Sequence, residues 1–253
     1  MQYTEIAPAR HLAKYVKCFW MLEQTAVPAA PVTGENRAPE AVIPDGSIEI
    51  IFNLSDPFRR HHSNGRIETQ PRSIVAGQMR EHALIEPSGR VKLFGIRFQA
   101  AGAYPFFRFS LSELTGRIEN LASVWGRGAG ELEEKINEAL SPEERIAIVE
   151  SELGKLLSAN RKFDGIVEGA SRIITGRHGL VSMDEVSRIL NVSGRRLERR
   201  FQHRFGLTPK FFSRIVRFQN LLGALREERK EGLLGTALSF GRSEEHTSEL
   251  QSH

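Results

Sequence analysis

Short apolar runs separated by turn-forming residues occupy the chain from its start to about residue 110. Runs of this length, rich in Ile, Val and Phe, predict β-strands. Pro44-Asp45-Gly46 predicts a turn before the second strand, because proline presets φ and glycine accepts a positive φ. Gly95 predicts a bulge, and the polar stretch 56–70 predicts a loop. The predicted strands of this β-rich, cupin- or barrel-like region are Val16–Leu22, Ser47–Leu54, Ile74–Ala76 and Val91–Phe98.

Helical spacing of apolar residues replaces this pattern from about residue 130. Gly130–Leu140 predicts one helix, and Ser141-Pro142-Glu143-Glu144 opens a second with an N-cap, an N1 proline and a capping box. We expect a linker over 158–162, where the sequence becomes polar. The aromatic residues before these helices are interpreted as core rather than as platforms for bases, since only Arg108 accompanies them. They are Tyr104, Phe106, Phe107, Phe109 and Trp125.

A packing helix is predicted after the linker. Asp164 is its N-cap, and Gly176 and Gly179 end it. Its predicted buried stripe is Ile166, Ala170 and Ile173. A longer helix is predicted to open at Thr208-Pro209 and to continue through Leu225.

Between these two helices, two short amphipathic helices are predicted to meet at a tight turn. Ser182 with Glu185 forms a capping-box pattern at the first, and Ser193 offers an N-cap for the second. We expect the first helix to bury Val186, Ile189 and Leu190. We expect the second to bury Leu197, Phe201 and Phe205.

The face of the second helix opposite Phe201 is basic and rich in hydrogen-bond donors. At about 100° per residue it carries Arg195, Arg196, Arg199, Gln202 and His203. The second helix of a helix-turn-helix enters the major groove, and arginine matches guanine and phosphate in shape. The pattern therefore predicts duplex DNA as the partner.

Charge is distributed unevenly along the 253 residues. Residues 161–230 contain 16 Lys or Arg against 7 Asp or Glu, whereas the whole chain has a net charge of +4. The rest of the chain is therefore acidic. A solvated helix surface usually mixes both signs, whereas basic charge concentrated in one module is typical of a nucleic-acid binder.

The run VSMDEVSRILNVSGRRLERRFQHRFGLTPKFF, over 181–212, resembles the first helix-turn-helix of AraC-type transcriptional regulators. The similarity continues through Phe212–Leu222 into the helix that joins two such units in that family. The resemblance implies that Arg195, Glu198 and Arg199 contact bases, and that Arg196 and its neighbours contact phosphate.

The N-terminal region resembles, more weakly, the small sensor-like domain found ahead of some AraC-type modules. The residues that carry this similarity are Pro44-Asp45-Gly46, Ala76-Gly77, Phe94-Gly95-Ile96-Arg97-Phe98 and Gly102-Ala103-Tyr104-Pro105-Phe106-Phe107. The resemblance implies a sensing or dimerising role without naming a ligand.

The family pattern stops near the C-terminus. Leu233–Gly241 resembles the first helix of a second helix-turn-helix, but 242–253 resembles the translation of a sequencing-library adapter. A natural polar tail is the alternative. We therefore expect a C-terminally truncated regulator with one complete recognition helix, which binds DNA less tightly than a chain with two.

The cysteine and the histidines are the remaining candidates for chemistry. Cys18 is the sole cysteine, which excludes an internal disulfide, and we interpret it as a buried apolar residue rather than an alkyl acceptor. His11, His61, His62 and His82 lack the spacing of a metal site, and no cofactor motif is present. A ligand pocket lined by Asp45, Glu49, Arg97 and Arg108 is conceivable, although Glu49 and Arg97 would also fit outward-facing strand positions.

The sequence predicts an α+β protein: a β-rich sensor or dimerisation domain with trailing helices (1–158), an incomplete all-α AraC-type DNA-binding domain (163–241), and an adapter-derived tail (242–253). We expect a cytoplasmic, bacterial-type, sequence-specific transcriptional regulator, with a possible small-molecule effector, a possible homodimer, no cofactor, no catalytic activity and no membrane segment. The alternative is a cupin-like small-molecule-binding or metal-dependent enzyme with a helical interaction tail.

Overall fold

The computed structural model describes residues 2–24, 39–160 and 164–225. Ten antiparallel β-strands form two sheets in the N-terminal part of the chain. The strands are β1 Gln2–Ile6, β2 Val16–Glu23, β3 Glu40–Val42, β4 Glu49–Asn53, β5 Phe58–His61, β6 Ile67–Thr69, β7 Ser73–Ala76, β8 Ala83–Pro87, β9 Lys92–Phe98 and β10 Ile118–Asn120. The six-stranded sheet has the order β1-β2-β9-β4-β7-β10, and the four-stranded sheet has the order β3-β8-β5-β6.

Within the described residues, seven α-helices follow the strands. Six are α1 Leu121–Trp125, α2 Gly128–Glu138, α3 Pro142–Ala159, α4 Gly165–Gly176, α5 Met183–Ile189 and α6 Gly194–Phe205. The seventh, α7, occupies 209–225 in the described part of the chain. Two short 3-10 helices, Tyr104–Phe106 and Leu111–Leu114, connect β9 to β10. This order confirms the predicted α+β class. The predicted second helix-turn-helix at Leu233–Gly241 and the tail lie outside the described residues.

The six-stranded sheet is covered on both faces. Side chains alternate along β4, so that Ile50 and Phe52 enter the main core while Glu49 and Ile51 point to the opposite face. The core side also contains the predicted aromatic cluster, with Tyr104, Phe106 and Phe107 buried. The predicted core role of these aromatics is confirmed.

The structure corrects two expectations in this region. Gly95 is not at a bulge, because it pairs in register with Trp20 and Ile51, and the irregularity lies between Val16 and Cys18. A Cβ atom at Gly95 would lie 2.0 Å from Cε2 of Trp20, so glycine makes room for the indole ring. The stretch 56–70 is a hairpin formed by β5 and β6, with Gly65 at φ +81° in its turn, rather than a loop.

The last four helices, α4 to α7, form a second core around α6, whereas α1 to α3 pack in the main core. The buried residues of the second core come from α4, α5, α6 and α7: Val167, Ala170, Ile174, Val186, Leu197, Phe201, Phe205, Leu207, Phe212, Ile215 and Val216. Two predicted stripes are partly wrong. Val167 and Ile174 occupy the buried line of α4, while Ile166 and Ile173 are half-buried, and Ile189 at the end of α5 is 51% exposed.

In the described part of the chain, no helix has the length and apolar character needed to cross a membrane.

The Pro44-Asp45-Gly46 turn packs on α7. Nε2 of Gln219 donates a hydrogen bond to the Pro44 carbonyl at 2.6 Å, and Nε2 of buried Gln78 donates to the Gly46 carbonyl at 2.9 Å. A Cβ atom at Gly46 would lie 2.7 Å from Cε2 of Phe212. The β-rich region thus contacts α7 through backbone atoms of this turn and also through Arg80, whose guanidinium lies 5.9 Å from the centre of the Phe211 ring.

Gly46→Ala is expected to destabilise the protein by about 1 to 3 kcal/mol more than Gly65→Ala. The two glycines have φ values of +80° and +81°, so both substitutions impose the same backbone strain. A Cβ atom at Gly65 has nothing within 4 Å, whereas one at Gly46 overlaps the Phe212 ring. Urea denaturation of both variants measures the difference. Equal losses would show that the turn does not pack tightly on α7 in solution.

Candidate nucleic-acid interface

Helices α5 and α6 form the predicted helix-turn-helix. The Ser182 hydroxyl accepts a hydrogen bond from the Glu185 amide at 3.1 Å, and the Ser193 hydroxyl accepts one from the Arg196 amide at 3.3 Å. Both predicted N-caps are confirmed. The predicted capping box is incomplete, because the Glu185 side chain contacts Arg177 at 3.3 Å and only the Ser182 hydroxyl caps α5. The chain reverses between the helices at Asn191, whose φ is +50°.

The buried face of α6 is the one that the sequence predicts. Leu197, Phe201 and Phe205 are at most 1% exposed. The Phe201 and Phe205 rings stack with centroids 4.4 Å apart, and Phe212 of α7 lies 4.6 Å from the Phe205 ring. Gly206, at φ +96°, ends the helix in the left-handed conformation. This packing fixes the rotation of α6 about its axis.

The opposite face of α6 is exposed along its whole length. All six residues predicted to contact DNA are exposed: Arg195, Arg196, Glu198, Arg199, Gln202 and His203. Within the described parts of the chain, Arg195, Arg196 and Arg199 form no ion pair with a carboxylate. These guanidinium groups therefore retain their donors for an external acceptor.

The end of α6 also contacts the β-rich region. Nε2 of His203 lies 3.4 Å from the Tyr104 hydroxyl, and the Ser110 hydroxyl donates to the His203 carbonyl at 3.1 Å. The Thr115 hydroxyl donates to the Gly206 carbonyl. The last turn of α6 is therefore held by residues of the β-rich region, while its first two turns are not involved in these contacts.

Two further arginines of α6 have a structural role that the sequence prediction missed. Nε of Arg200 and Nε of Arg204 lie 2.8 and 3.0 Å from the same carboxylate oxygen of Asp164, which is 5% exposed. Asp164 also caps α4, as predicted, by accepting hydrogen bonds from the Ile166 and Val167 amides. The sequence signal that could have indicated this role is the four-residue spacing of Arg200 and Arg204, which puts both on one side of α6. These contacts fasten α6 to the start of α4.

The other candidate residues lie elsewhere. Cys18 is buried, and burial raises the pKa of its thiol, which suits the predicted apolar role. His61 and His62 pair with different carboxylates, Glu86 and Glu68, each at 2.8 Å. The described residues contain no cluster of three side chains suited to holding a metal ion. Arg108 is exposed and does not line the cavity that contains Asp45, Glu49 and Arg97.

Comparison with known families and structures gives two kinds of match. Residues 4–120 match a domain of unknown function, DUF6597. Curated protein sequences give no match. This family model covers most of both sheets and ends before α1.

Among solved structures, the apo form of a ToxT variant from Vibrio cholerae is 9% identical, with a TM-score of 0.43, over 83% of this chain and 82% of that chain. Wild-type ToxT from Vibrio cholerae bound to an unsaturated fatty acid is 8% identical, with a TM-score of 0.39, over 83% and 80%. The AraC-like transcriptional activator CuxR is 13% identical, with a TM-score of 0.30, over 82% and 73%.

Proposed function

We propose that this protein is a sequence-specific DNA-binding transcriptional regulator that inserts α6 into the major groove. The observation that carries the proposal is the exposed face of α6, where Arg195, Arg196 and Arg199 have no carboxylate partner among the described residues. A charged group that forms no internal contact gives the fold no stability. Three of them on the second helix of a helix-turn-helix suit a polyanionic partner.

The positions along α6 suggest a division of roles. Arg195, Glu198 and Arg199 lie in the first two turns, which come closest to base edges in a docked helix-turn-helix. Arginine donates two hydrogen bonds to guanine, and glutamate accepts from the cytosine amino group. Arg196 follows Arg195 and lies about 100° from it round the axis of α6, and we assign it to contacts with the phosphate backbone. Gln202 and His203 extend the same surface toward Tyr104.

We further propose that the domain over residues 1–158 regulates the DNA-binding domain that begins at residue 163. Supporting this, the turn at Pro44–Gly46 and the Ser110–Thr115 segment contact α7 and the end of α6. A change in the β-rich domain would therefore reach the last turn of the recognition helix through direct packing. We assign no catalytic role to the protein.

Selection from a pool of random duplexes tests the proposal. The full chain is expected to enrich a defined sequence, and its affinity for that duplex is expected to fall steeply as salt rises, because arginine contacts release condensed counterions. A duplex that matches the selected sequence should bind at least about tenfold more tightly than a scrambled duplex at the same salt concentration. Recovery of unenriched sequences would refute sequence-specific binding.

A further inference from the structure

A partly open cavity of about 220 Å³ lies between the two sheets, on the face of the six-stranded sheet opposite the main core. Strands β4, β7 and β9 form one wall, and β3, β5 and β8 form the other. The volume equals that of about seven water molecules, enough for a ligand of roughly ten non-hydrogen atoms. Most of the wall is apolar and includes Ile51, Ile74 and Leu93 from one sheet and Phe58, Ala83 and Ile85 from the other.

One end of the cavity is charged. Arg97 of β9 donates through Nε to Oε1 of Glu49 on β4, and the same nitrogen lies 3.8 Å from a carboxylate oxygen of Asp45. Nη1 of Arg97 donates to Glu5 of β1 at 3.1 Å. Three carboxylates therefore surround one guanidinium, and two of them, Asp45 and Glu49, line the cavity. Negative charge exceeds positive charge at this end. Arg72, the second arginine that lines the cavity, lies near the other end of β4, where its carbonyl accepts a hydrogen bond from the Asn53 amide.

Glu49 is the most enclosed of these carboxylates, with its side chain 15% exposed. Burial raises the pKa of Glu49, although the charge of Arg97 and its hydrogen bond act in the opposite direction. The contact with Arg97 therefore offsets only part of the free-energy cost of removing the Glu49 carboxylate from water. A second cation in the cavity would interact favourably with this carboxylate, whereas an anion would be repelled by Glu49 and Asp45.

We propose that this cavity binds a small protonated amine that carries an apolar group, with the ammonium beside Glu49 and Asp45 and the apolar group among the isoleucines. An ammonium supplies three donors to carboxylates that have free lone pairs, and such charge-assisted hydrogen bonds are strong in enclosed sites. The apolar walls favour an aryl or branched alkyl group of limited size. The ligand class follows from the charge balance and from the volume.

Asp45 belongs to both the cavity and the junction. Its neighbours Pro44 and Gly46 accept the hydrogen bonds from Gln219 of α7 and from Gln78. An ammonium that draws Asp45 away from its long contact with Arg97 would act on the turn that packs against Phe212. This route makes the amine a candidate effector, although its binding does not depend on the DNA-binding proposal.

Titration calorimetry with the full chain tests the ligand class, using phenethylamine as the probe. It has about nine non-hydrogen atoms and is protonated at neutral pH. 2-Phenylethanol and phenylacetate have nearly the same shape without the positive charge. We expect saturable binding of phenethylamine at one site and no saturation by the other two in the same concentration range. Equal or tighter binding of phenylacetate would overturn the proposal.

Glu49→Gln tests the site, because it removes the charge and keeps the shape. We expect phenethylamine to bind about tenfold more weakly or worse. Glu86→Gln is the matched control: it removes a buried, ion-paired carboxylate of β8 that pairs with His61 and does not line the cavity. The Glu86→Gln variant is expected to bind phenethylamine with the affinity of the wild-type protein. Unchanged affinity in Glu49→Gln, or equal losses in both variants, would place the amine elsewhere.

Asp45→Asn provides a second test if Glu49→Gln does not fold, since Asp45 is more exposed and its contact with Arg97 is long. We expect a severalfold loss of phenethylamine affinity. Backbone amide resonances over 44–51 and 93–97 should shift on titration of the wild-type protein. Shifts confined to other segments would overturn the assignment. None of these measurements includes DNA, so their failure leaves the function of α6 unaffected.

Discussion

Phe201→Ala is expected to destabilise the helix-turn-helix by about 3 to 5 kcal/mol. Phe201 has no exposed surface, and its ring lies 4.4 Å from that of Phe205 and 5.9 Å from that of Phe212. Truncation would leave a cavity where α6 meets α7 and would remove one of the three rings of this aromatic cluster. The loss is comparable to the whole stability of a small domain. Urea denaturation followed by far-ultraviolet circular dichroism measures it.

Hydrogen exchange localises the effect of Phe201→Ala. Amides of α4, α5 and α6 should lose protection, while those of β4 and β9 should keep most of theirs, because the two hydrophobic cores are separate. Leu180→Ala is a suitable control, since this side chain is 73% exposed and its removal should change stability by at most about 0.5 kcal/mol. An unchanged unfolding midpoint for Phe201→Ala would mean that α6 is rotated relative to the arrangement described here.

Arg195→Ala and Arg199→Ala are each expected to weaken binding to the cognate duplex by about 1 to 3 kcal/mol and to relax base preference. Both side chains are exposed and make no ion pair within the described residues, so their removal should leave the fold intact. Arg200→Ala should behave differently, because Arg200 is held 2.8 Å from Asp164. That substitution should lower thermal stability and leave base preference unchanged.

The helix-turn-helix was predictable from sequence because its determinants are local. Serine residues at 182 and 193 cap their own helices through the amide three positions later, and the spacing of four between Leu197, Phe201 and Phe205 sets one buried face. Once Phe201 defines the inside of α6, the exposed side follows from the period of the helix. Five of the six candidate residues were therefore placed correctly on the surface of α6 by the helical period, and Glu198, which the resemblance to AraC-type regulators added, is exposed as well.

Contacts between distant segments were not predictable in this way. The pairing of Arg200 and Arg204 with Asp164 joins residues 36 and 40 positions apart and depends on how α4 packs against α6. The same packing decides that Val167 and Ile174, rather than Ile166 and Ile173, face the core. Ile189 fits the helical period but is the last residue of α5 and is 51% exposed.

The sheets show the same limit. The stretch 56–70 looked like a loop because it is polar, yet Phe58–His61 pairs with both Ile67–Thr69 and Ala83–Pro87. Half of such a strand faces solvent, so its sequence has few apolar residues to mark it. Gly95 looked like a bulge because the sequence does not reveal that Trp20, on the neighbouring strand, needs the space above it.

The cavity was partly foreseen. Asp45, Glu49 and Arg97 were candidate pocket residues on chemical grounds, and the strand register brings them to one end of the space between the sheets. Arg108 was wrongly included, because it follows the buried 3-10 helix Tyr104–Phe106 and points to solvent. Alternation along β4 and β9 left open whether Glu49 and Arg97 face solvent or a second layer. The four-stranded sheet provides that layer.

The central claim is that the exposed arginines of α6 read DNA sequence. The most direct measurement titrates the selected duplex and a scrambled duplex, at one fixed salt concentration, with wild type, Arg199→Ala and Arg66→Ala. Arg66 is an exposed arginine of the β5–β6 hairpin, so its removal subtracts the same charge far from α6 along the chain. We predict that Arg199→Ala loses roughly 5- to 150-fold in affinity for the selected duplex and much less for the scrambled one, while Arg66→Ala matches wild type on both. Equal losses for Arg199→Ala on the two duplexes, or an equal loss for Arg66→Ala, would contradict the claim.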